Sequence, residues 1–181
     1  ELIKDYYPSP NAVAMTQKPR LLSQMTADRN LRDRICSPTA TAMALSTKNQ
    51  FIDWSKIIEQ CYDPATKAYG SWPLAINSGS KHNFIGCIEA VDDWEDAVRV
   101  LQTGQPLVCS IRFSEGDLSG SPLKKTSGHL VCLYGIEHNK VLVLDPAGKT
   151  EQQVDKSYDL EQFSMAWLRE RGAVYFFHHI S

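Results

Sequence analysis

The sequence lacks several features that would place it in a specialised class of protein. No uninterrupted apolar run approaches the length of a membrane span, so no transmembrane helix is predicted. Acidic and basic residues are interspersed and the formal net charge is only −2, which argues against a nucleic-acid backbone or an anionic membrane as the main partner. No internal repeat, low-complexity tract or long linker divides the chain.

Metal-ligand spacings are also missing. The sequence contains no CxxC or HxxxH pattern, and His178-His179 falls in an aromatic terminal segment that is typical of a strand end. We therefore predict neither a metal site nor a cofactor. The five cysteines cannot all pair, and buried free thiols are the simplest interpretation for those in apolar strand-like runs. In an exported protein, two disulfides are the alternative for Cys61, Cys87, Cys109 and Cys132.

The length and composition suit a single folded unit. With 181 residues and 43% hydrophobic content the chain can bury a sizeable core, and we predict one domain over residues 1–181. Three prolines and few apolar pairs predict an extended arm over residues 1–20. The chain begins with Glu1 rather than methionine, which is consistent with removal of a signal peptide or an upstream domain. Export to the periplasm, the cell surface or the medium is therefore one expectation.

Hydrophobic periodicity predicts an α+β fold. Asp53 is placed to cap one helix, and Asp92 or Asp93 to cap another that Gly104 ends. A strand over 107–113, a helix over 160–169 and a terminal strand over 173–177 follow. We predict an N-terminal helical part packed on a C-terminal antiparallel sheet.

A cysteine lies directly ahead of a predicted helix in the segment Ile35-Cys36-Ser37-Pro38-Thr39. Ser37 is a good N-cap residue and Pro38 suits the first helical position, so the helix is predicted to begin immediately after Cys36. A sulfur at that position lies at the positive end of the helix dipole, where the thiolate is favoured over the thiol. Cys36 is therefore a candidate nucleophile, and the alternative is a small buried side chain in the helical core.

A histidine and an aspartate flank a predicted hairpin. The apolar runs 130–136 and 141–144 are separated by a short polar turn, so His129 before the first run and Asp145 after the second lie at the same open end. A nucleophile, a base and an orienting carboxylate then occur in that order. Direct opposition of the two side chains requires an odd-length loop or a bulge, because an ideal two-residue turn puts them on opposite faces. The alternative is a turn histidine and an ordinary strand-ending aspartate.

These segments resemble the papain-like cysteine peptidases, and among them the relatives of the bacteriocin-processing leader peptidases of cysteine peptidase family 39. The matching features cover nearly the whole chain, and the interval of sixteen residues from His129 to Asp145 is also similar. The features are Cys36-Ser37-Pro38-Thr39, Tyr69-Gly70-Ser71-Trp72-Pro73, Gly128-His129-Leu130-Val131, Asp145-Pro146, and Tyr158-Asp159 followed by Phe163 and Ala166-Trp167.

The resemblance implies a papain-like fold with a catalytic triad. Cys36 is the implied nucleophile, His129 the general base and acid, and Asp145 the orienting residue. A glutamine upstream of the cysteine is implied to help form the oxyanion hole, and Gln24 is the best match. Gln24 precedes Cys36 by twelve residues, a longer interval than in well-known members of the family, so Asn30 is an alternative donor.

The implied function is a thiol hydrolase that cleaves a peptide or other amide bond through a thioester acyl-enzyme. Trp72, Ser127 and Gly128 are predicted to line its cleft. Trp72 lies in a predicted irregular stretch, Ser127 ends a predicted loop over 114–127, and Gly128 directly precedes His129. Two alternatives stay open: an amidase or acyltransferase acting on peptidoglycan or small peptides with the same triad, and a catalytically silent peptide-binding module. Leader processing is not assumed, because Ser37 follows the cysteine where leader peptidases have glycine and the chain carries no transporter. The oligomeric state is not predicted.

Overall fold

Six α-helices and seven β-strands occur within residues 12–48 and 51–180, the part of the chain that the computed structural model describes. The helices are α1 (Cys36–Leu45), α2 (Trp54–Gln60), α3 (Trp72–Ser80), α4 (Trp94–Gln102), α5 (Glu151–Val154) and α6 (Leu160–Trp167). The strands are β1 (Val13–Met15), β2 (Phe84–Ala90), β3 (Leu107–Phe113), β4 (Thr126–Glu137), β5 (Lys140–Leu144), β6 (Asp155–Asp159) and β7 (Ala173–His179).

The strands form one antiparallel sheet of seven strands in the order β2-β7-β3-β4-β5-β6, and β1 pairs with β4. β4 is the longest strand, with 12 residues, and it pairs with β1, β3 and β5. The predicted α+β class is therefore confirmed. Because β4 and β5 are adjacent in the sheet, the ends that carry His129 and Asp145 lie side by side.

Helices cover both faces of the sheet, and the alternation of strand side chains divides the core accordingly. Val108 and Cys132 face the cluster that contains Met43 of α1 and Ile57 of α2. The neighbouring residues in β3 and β4 face the opposite cluster, which contains the buried tryptophans of α4 and α6. The helix that begins at Cys36 thus packs on one face, and the rest of the proposed site lies at the adjacent ends of the inner strands β4 and β5.

Most predicted elements are confirmed with small changes at their ends. The Asp53 and Asp93 carboxylates cap α2 and α4 by accepting backbone N–H bonds. Gly104, with a φ of 83°, follows the end of α4, as glycine does after many helices. The helix predicted over 160–169 ends at Trp167, and the terminal strand extends to His179.

Two predicted loop assignments are wrong. Trp72 does not lie in an irregular stretch but begins α3, with Ser71 as N-cap residue and Pro73 in the first turn, where proline leaves no helical hydrogen bond unmade. The strand that carries His129 begins earlier than predicted, at Thr126, because pairing with β3 continues past a bulge near Phe113. Ser127, predicted to end the loop 114–127, therefore belongs to β4, as does Gly128.

The N-terminal segment is described from residue 12 onward. Residues 1–11 of the predicted arm lie outside the described residues, and Val13–Met15 is an extended strand that pairs with the end of β4. Within residues 12–48 and 51–180, no helix is long and apolar enough to span a membrane.

Candidate active site

Cys36 is the first residue of α1. Ile35 is the N-cap residue and makes no side-chain capping bond, while its carbonyl accepts the first helical hydrogen bond, from Thr39 (3.0 Å). The Cys36 side chain is partly exposed, whereas Ser37 to Leu45 are buried. The sulfur thus lies at the N-terminal end of a helix, where the helix dipole and unpaired N–H groups favour a thiolate.

The predicted capping role of Ser37 is wrong. The helix begins at Cys36 itself, and the Ser37 hydroxyl lies 2.7 Å from the Tyr175 hydroxyl of β7. Tyr175 is fully buried, and a buried hydroxyl requires a partner, so this long-range contact outweighs the local cap. Ser37 therefore links the first turn of α1 to the sheet, directly beside the thiol.

A bulge in β4 brings His129 and Asp145 to the same face of the sheet. The hairpin between β4 and β5 has a two-residue turn, with Glu137 paired to Lys140, and Tyr134 is an extra residue that shifts the register. Because side chains alternate, this one-residue shift reverses the face that Asp145 would otherwise occupy. The requirement for a bulge, stated above from the sequence, is thus met at Tyr134.

The buried side chains of His129 and Asp145 are in direct contact. His129 Nε2 lies 2.7 Å from Asp145 Oδ1, which also accepts the backbone N–H of Ala147 (3.0 Å). The Tyr158 hydroxyl donates to Asp145 Oδ2 (2.8 Å). Tyr158 belongs to a segment that resembles the family but was not predicted as a site residue, because only the pairing of β6 with β5 brings it to Asp145.

Cys36 and His129 form the second contact of the site. His129 lowers the pKa of the thiol through hydrogen bonding and charge. Because Asp145 occupies Nε2, Nδ1 is the ring nitrogen left for the thiol. Burial alone would lower the pKa of His129, but the charge and hydrogen bond of Asp145, together with Cys36, raise it to about 10. These interactions favour the imidazolium form of His129.

The pKa values of Cys36 and Asp145, on either side of His129, are shifted downward. Burial raises the pKa of the Cys36 thiol, but the hydrogen bond and charge of His129 outweigh burial and lower it below the ordinary value. Burial likewise opposes ionisation of Asp145, but the His129 charge and three hydrogen bonds hold its pKa below the usual range. The arrangement favours a thiolate, an imidazolium and a carboxylate in series, which suits nucleophilic catalysis.

Gln24 is joined to the loop that follows Asp145. Its backbone N–H donates to the Pro146 carbonyl (2.9 Å), and its buried side-chain amide donates to the Arg32 carbonyl (2.6 Å). Asn30 is exposed on the intervening turn, where its backbone N–H donates to the Asp28 carboxylate (2.8 Å). The buried position of Gln24 makes it the better candidate of the two for an oxyanion-hole donor.

The predicted cleft residues occupy two different places. The Trp72 ring packs against Tyr175 with centroids 6.0 Å apart, and Tyr175 in turn contacts Ser37 beside the nucleophile. Ser127 and Gly128 are exposed on β4 immediately before His129. Ser127 also lines a cavity of about 1330 Å³ between the end of β3 and α6. The other walls of this cavity include Arg112, Lys125, Asp159, Met165, Arg169 and Glu170.

Metal ligands are not grouped in this part of the molecule. Across residues 12–48 and 51–180, no set of three histidine, cysteine, aspartate or glutamate side chains is arranged to hold a metal ion. All five cysteines are unpaired, and Cys36 interacts with His129.

A family model described as Peptidase_C39 like family matches residues 16–175. This chain belongs to that family. The match spans the candidate nucleophile, the histidine and the aspartate, and it confirms the resemblance drawn from the sequence. The chain is thus a cysteine peptidase-like hydrolase. None of the curated proteins compared with this chain is a significant match.

Solved structures of C39 peptidase domains share the fold of this family member. A C39-like peptidase from Bacillus anthracis is 15% identical with a TM-score of 0.67, over 94% of this chain and 100% of that one. The peptidase domain of Streptococcus ComA is 14% identical with a TM-score of 0.63, over 91% and 99%. A double glycine motif protease from an AMS/PCAT transporter, in complex with the leader peptide, is 14% identical with a TM-score of 0.62, over 94% and 100%. The papain-like fold is therefore confirmed.

Proposed function

We propose that this chain hydrolyses peptide bonds with Cys36 as nucleophile, His129 as general base and acid, and Asp145 as the residue that orients the imidazole. The observation that carries the proposal is the 2.7 Å contact between the buried His129 and Asp145 side chains, beside a thiol whose pKa His129 lowers. Membership of a cysteine peptidase family supports the same reaction class.

In the proposed resting state His129 has already taken the thiol proton. The lowered pKa of Cys36 and the raised pKa of His129 both favour this ion pair. Asp145 stabilises the imidazolium by its charge and fixes which nitrogen faces the sulfur. The thiolate, rather than the thiol, is then the species that meets the substrate.

Acylation follows from this ion pair. The Cys36 thiolate attacks the carbonyl carbon, a C–S bond forms, and the carbonyl electron pair moves onto oxygen. The Cys36 backbone N–H and a side-chain N–H of Gln24 are the proposed oxyanion donors. The His129 imidazolium then gives its Nδ1 proton to the amine, the C–N bond breaks and a thioester remains.

Water completes the proposed cycle. Neutral His129 takes a proton from a water molecule, whose oxygen attacks the thioester carbonyl. The C–S bond breaks, a carboxylic acid leaves, and the proton now on His129 restores the ion pair with the released thiolate.

A peptide is the proposed substrate class. The similar protease from the AMS/PCAT transporter is described in complex with the leader peptide, which supports a peptide as the substrate here. The cavity of about 1330 Å³ beside Ser127 does not bear on this choice, because Cys36, His129 and Asp145 are not among the residues that line it.

The test compares the parent chain with Cys36→Ala on a mixed-sequence peptide library and on a set of muropeptides, with mass spectrometry of the new termini. Cleavage of linear peptides by the parent and not by Cys36→Ala supports the proposal. Cleavage of muropeptides alone favours the amidase. Peptide binding without cleavage, together with ordinary reactivity of the Cys36 thiol, favours the silent binding module. Either of those results overturns the proposal.

A further inference from the structure

The Asp145 carboxylate is held by a second side chain, Tyr158, that the proposed mechanism does not use. Oδ1 contacts His129 and the Ala147 backbone N–H, whereas Oδ2 accepts the Tyr158 hydroxyl at 2.8 Å. Each oxygen of the carboxylate therefore has a donor. Since rotation about the Cβ–Cγ bond exchanges the two oxygens, a donor on Oδ2 also fixes the direction of Oδ1 toward the imidazole.

Tyr158 is itself held so that its hydroxyl has little freedom. The side chain is 1% exposed, and its ring stacks on Phe163 of α6 with centroids 6.0 Å apart and an interplanar angle of 15°. The next residue, Asp159, caps α6, which ties the end of β6 to that helix.

We propose that Tyr158 is a positioning residue of the active site: its hydroxyl holds Asp145 in the orientation, and in the ionised form, that directs His129 toward Cys36. This inference rests on the proposed function, because positioning has a consequence only if the three residues act together. In a merely structural role, by contrast, the buried hydroxyl would only need a hydrogen-bond acceptor, and its removal would not change the reactivity of the Cys36 thiol.

The ionisable groups around Asp145 determine what loss of the hydroxyl does. His129 on β4 and Tyr158 on β6 act directly on the carboxylate, and Cys36 on α1 acts through His129. A hydrogen bond to a carboxylate favours its charged form, so removal of this bond raises the pKa of Asp145. A neutral Asp145 no longer stabilises the imidazolium. The thiolate is then lost at a higher pH than in the parent.

The main experiment uses Tyr158→Phe, which removes the hydroxyl and keeps the ring. Tyr134→Phe is the matched control, since the Tyr134 hydroxyl donates to a different carboxylate, Asp155 Oδ1, at the same distance of 2.8 Å. The rate of Cys36 alkylation by iodoacetamide is followed against pH. At low pH the alkylation rate falls as the thiolate is lost, and we call this part of the profile the acid limb. We expect the midpoint of the acid limb to move up by roughly half to one pH unit in Tyr158→Phe and to stay in place in Tyr134→Phe.

Where a hydrolysed peptide is available, kcat for Tyr158→Phe is expected to fall about 10-fold with KM little changed, as for other residues that orient a catalytic group. The same substitution in an Asp145→Ala background should cause no further loss, because Tyr158 then has nothing to position. Additive losses, or an alkylation profile of folded Tyr158→Phe that coincides with the parent, overturn the inference.

A second variant covers the case in which Tyr158→Phe does not fold. Replacement of Tyr158 by 3,5-difluorotyrosine keeps the ring and makes the hydroxyl a stronger donor, so the acid limb should move down rather than up. An unmoved or raised limb contradicts the inference. A parent chain that cleaves no peptide but shows both alkylation shifts leaves the positioning role supported and the proposed hydrolysis rejected, so the two failures are distinguishable.

Discussion

The side-chain amide of Gln24 donates to the backbone carbonyl of Arg32 at 2.6 Å. Arg32 belongs to the segment between Gln24 and Cys36, so the residues that lengthen this interval also hold the glutamine side chain in place. A primary amide nitrogen carries two N–H groups. One is used by Arg32, and the second is available for the oxyanion in the proposed mechanism.

The oxyanion assignment is tested with Gln24→Ala and Asn30→Ala. Loss of one oxyanion donor lowers kcat by about 100-fold or more, and we expect this for Gln24→Ala. Asn30 is exposed on the turn, so Asn30→Ala should retain kcat within about twofold. Steady-state kinetics on a cleaved peptide, with melting temperatures for both variants, is the measurement. The reverse ranking would assign the donor to Asn30.

Selective alkylation tests the nucleophile. Burial raises the pKa of Cys61 to about 12 and raises the pKa of Cys109 and Cys132 as well, whereas contact with His129 lowers that of Cys36. Brief labelling of the native protein with iodoacetamide at pH 6, followed by peptide mapping, should therefore modify Cys36 far faster than the other four cysteines. Protection of Cys36, or equal labelling of all five, would contradict the assignment.

Chemistry and folding are separated by two alanine substitutions. Cys36→Ala should abolish turnover and leave the melting temperature nearly unchanged, because the side chain is only partly buried at the helix end. Cys61→Ala is the control: that side chain is fully buried, and its removal leaves a cavity that costs on the order of 1 kcal/mol. Thermal melts and activity are measured on both. Retained activity with a marked loss of stability in Cys36→Ala points to a structural cysteine.

The sequence predicted the helices and strands well where the signal is local. Asp53 and Asp93 mark helix starts by their own capping chemistry, and the apolar runs before and after the 138–139 turn define a hairpin. The capping role assigned to Ser37 failed for a non-local reason. The Ser37 hydroxyl instead hydrogen-bonds to the buried hydroxyl of Tyr175 in β7, which is distant in the sequence.

The site could be predicted in outline and not in detail. The apolar runs predict that His129 and Asp145 lie at one end of a hairpin. Their position on the same face depends on the bulge at Tyr134, and no residue type at that position indicates a bulge. Tyr158 and Tyr175 contact Asp145 and Ser37 only because β6 and β7 take particular positions in the sheet. Strand order is a tertiary property, so periodicity along the chain does not reveal these contacts.

The charged pair predicts a pH window for stability. The pKa of His129 is raised from 6.5 to about 10, so its contribution is complete below about pH 6.5 and is lost as the pH rises toward 10. The pKa of Asp145 is lowered from 3.8, so its contribution is present above that pH and lost as the pH falls below it. The difference in melting temperature between parent and Asp145→Asn should thus be largest between about pH 4 and 6.5. A difference that grows steadily up to pH 10 would contradict the ion pair.

Substitution of Asp145 tests the proposed partner of His129. In Asp145→Asn the amide oxygen still accepts the ring N–H but no longer stabilises the imidazolium with a full charge, so kcat should fall by about 10-fold to 100-fold while the fold is kept. Asp145→Ala should be worse, because the ring loses its acceptor and Tyr158 loses its own. Steady-state kinetics and melting temperatures of both variants are compared with the parent. Turnover by Asp145→Ala at the parent rate would mean that another acceptor orients His129 and that the triad as proposed is wrong.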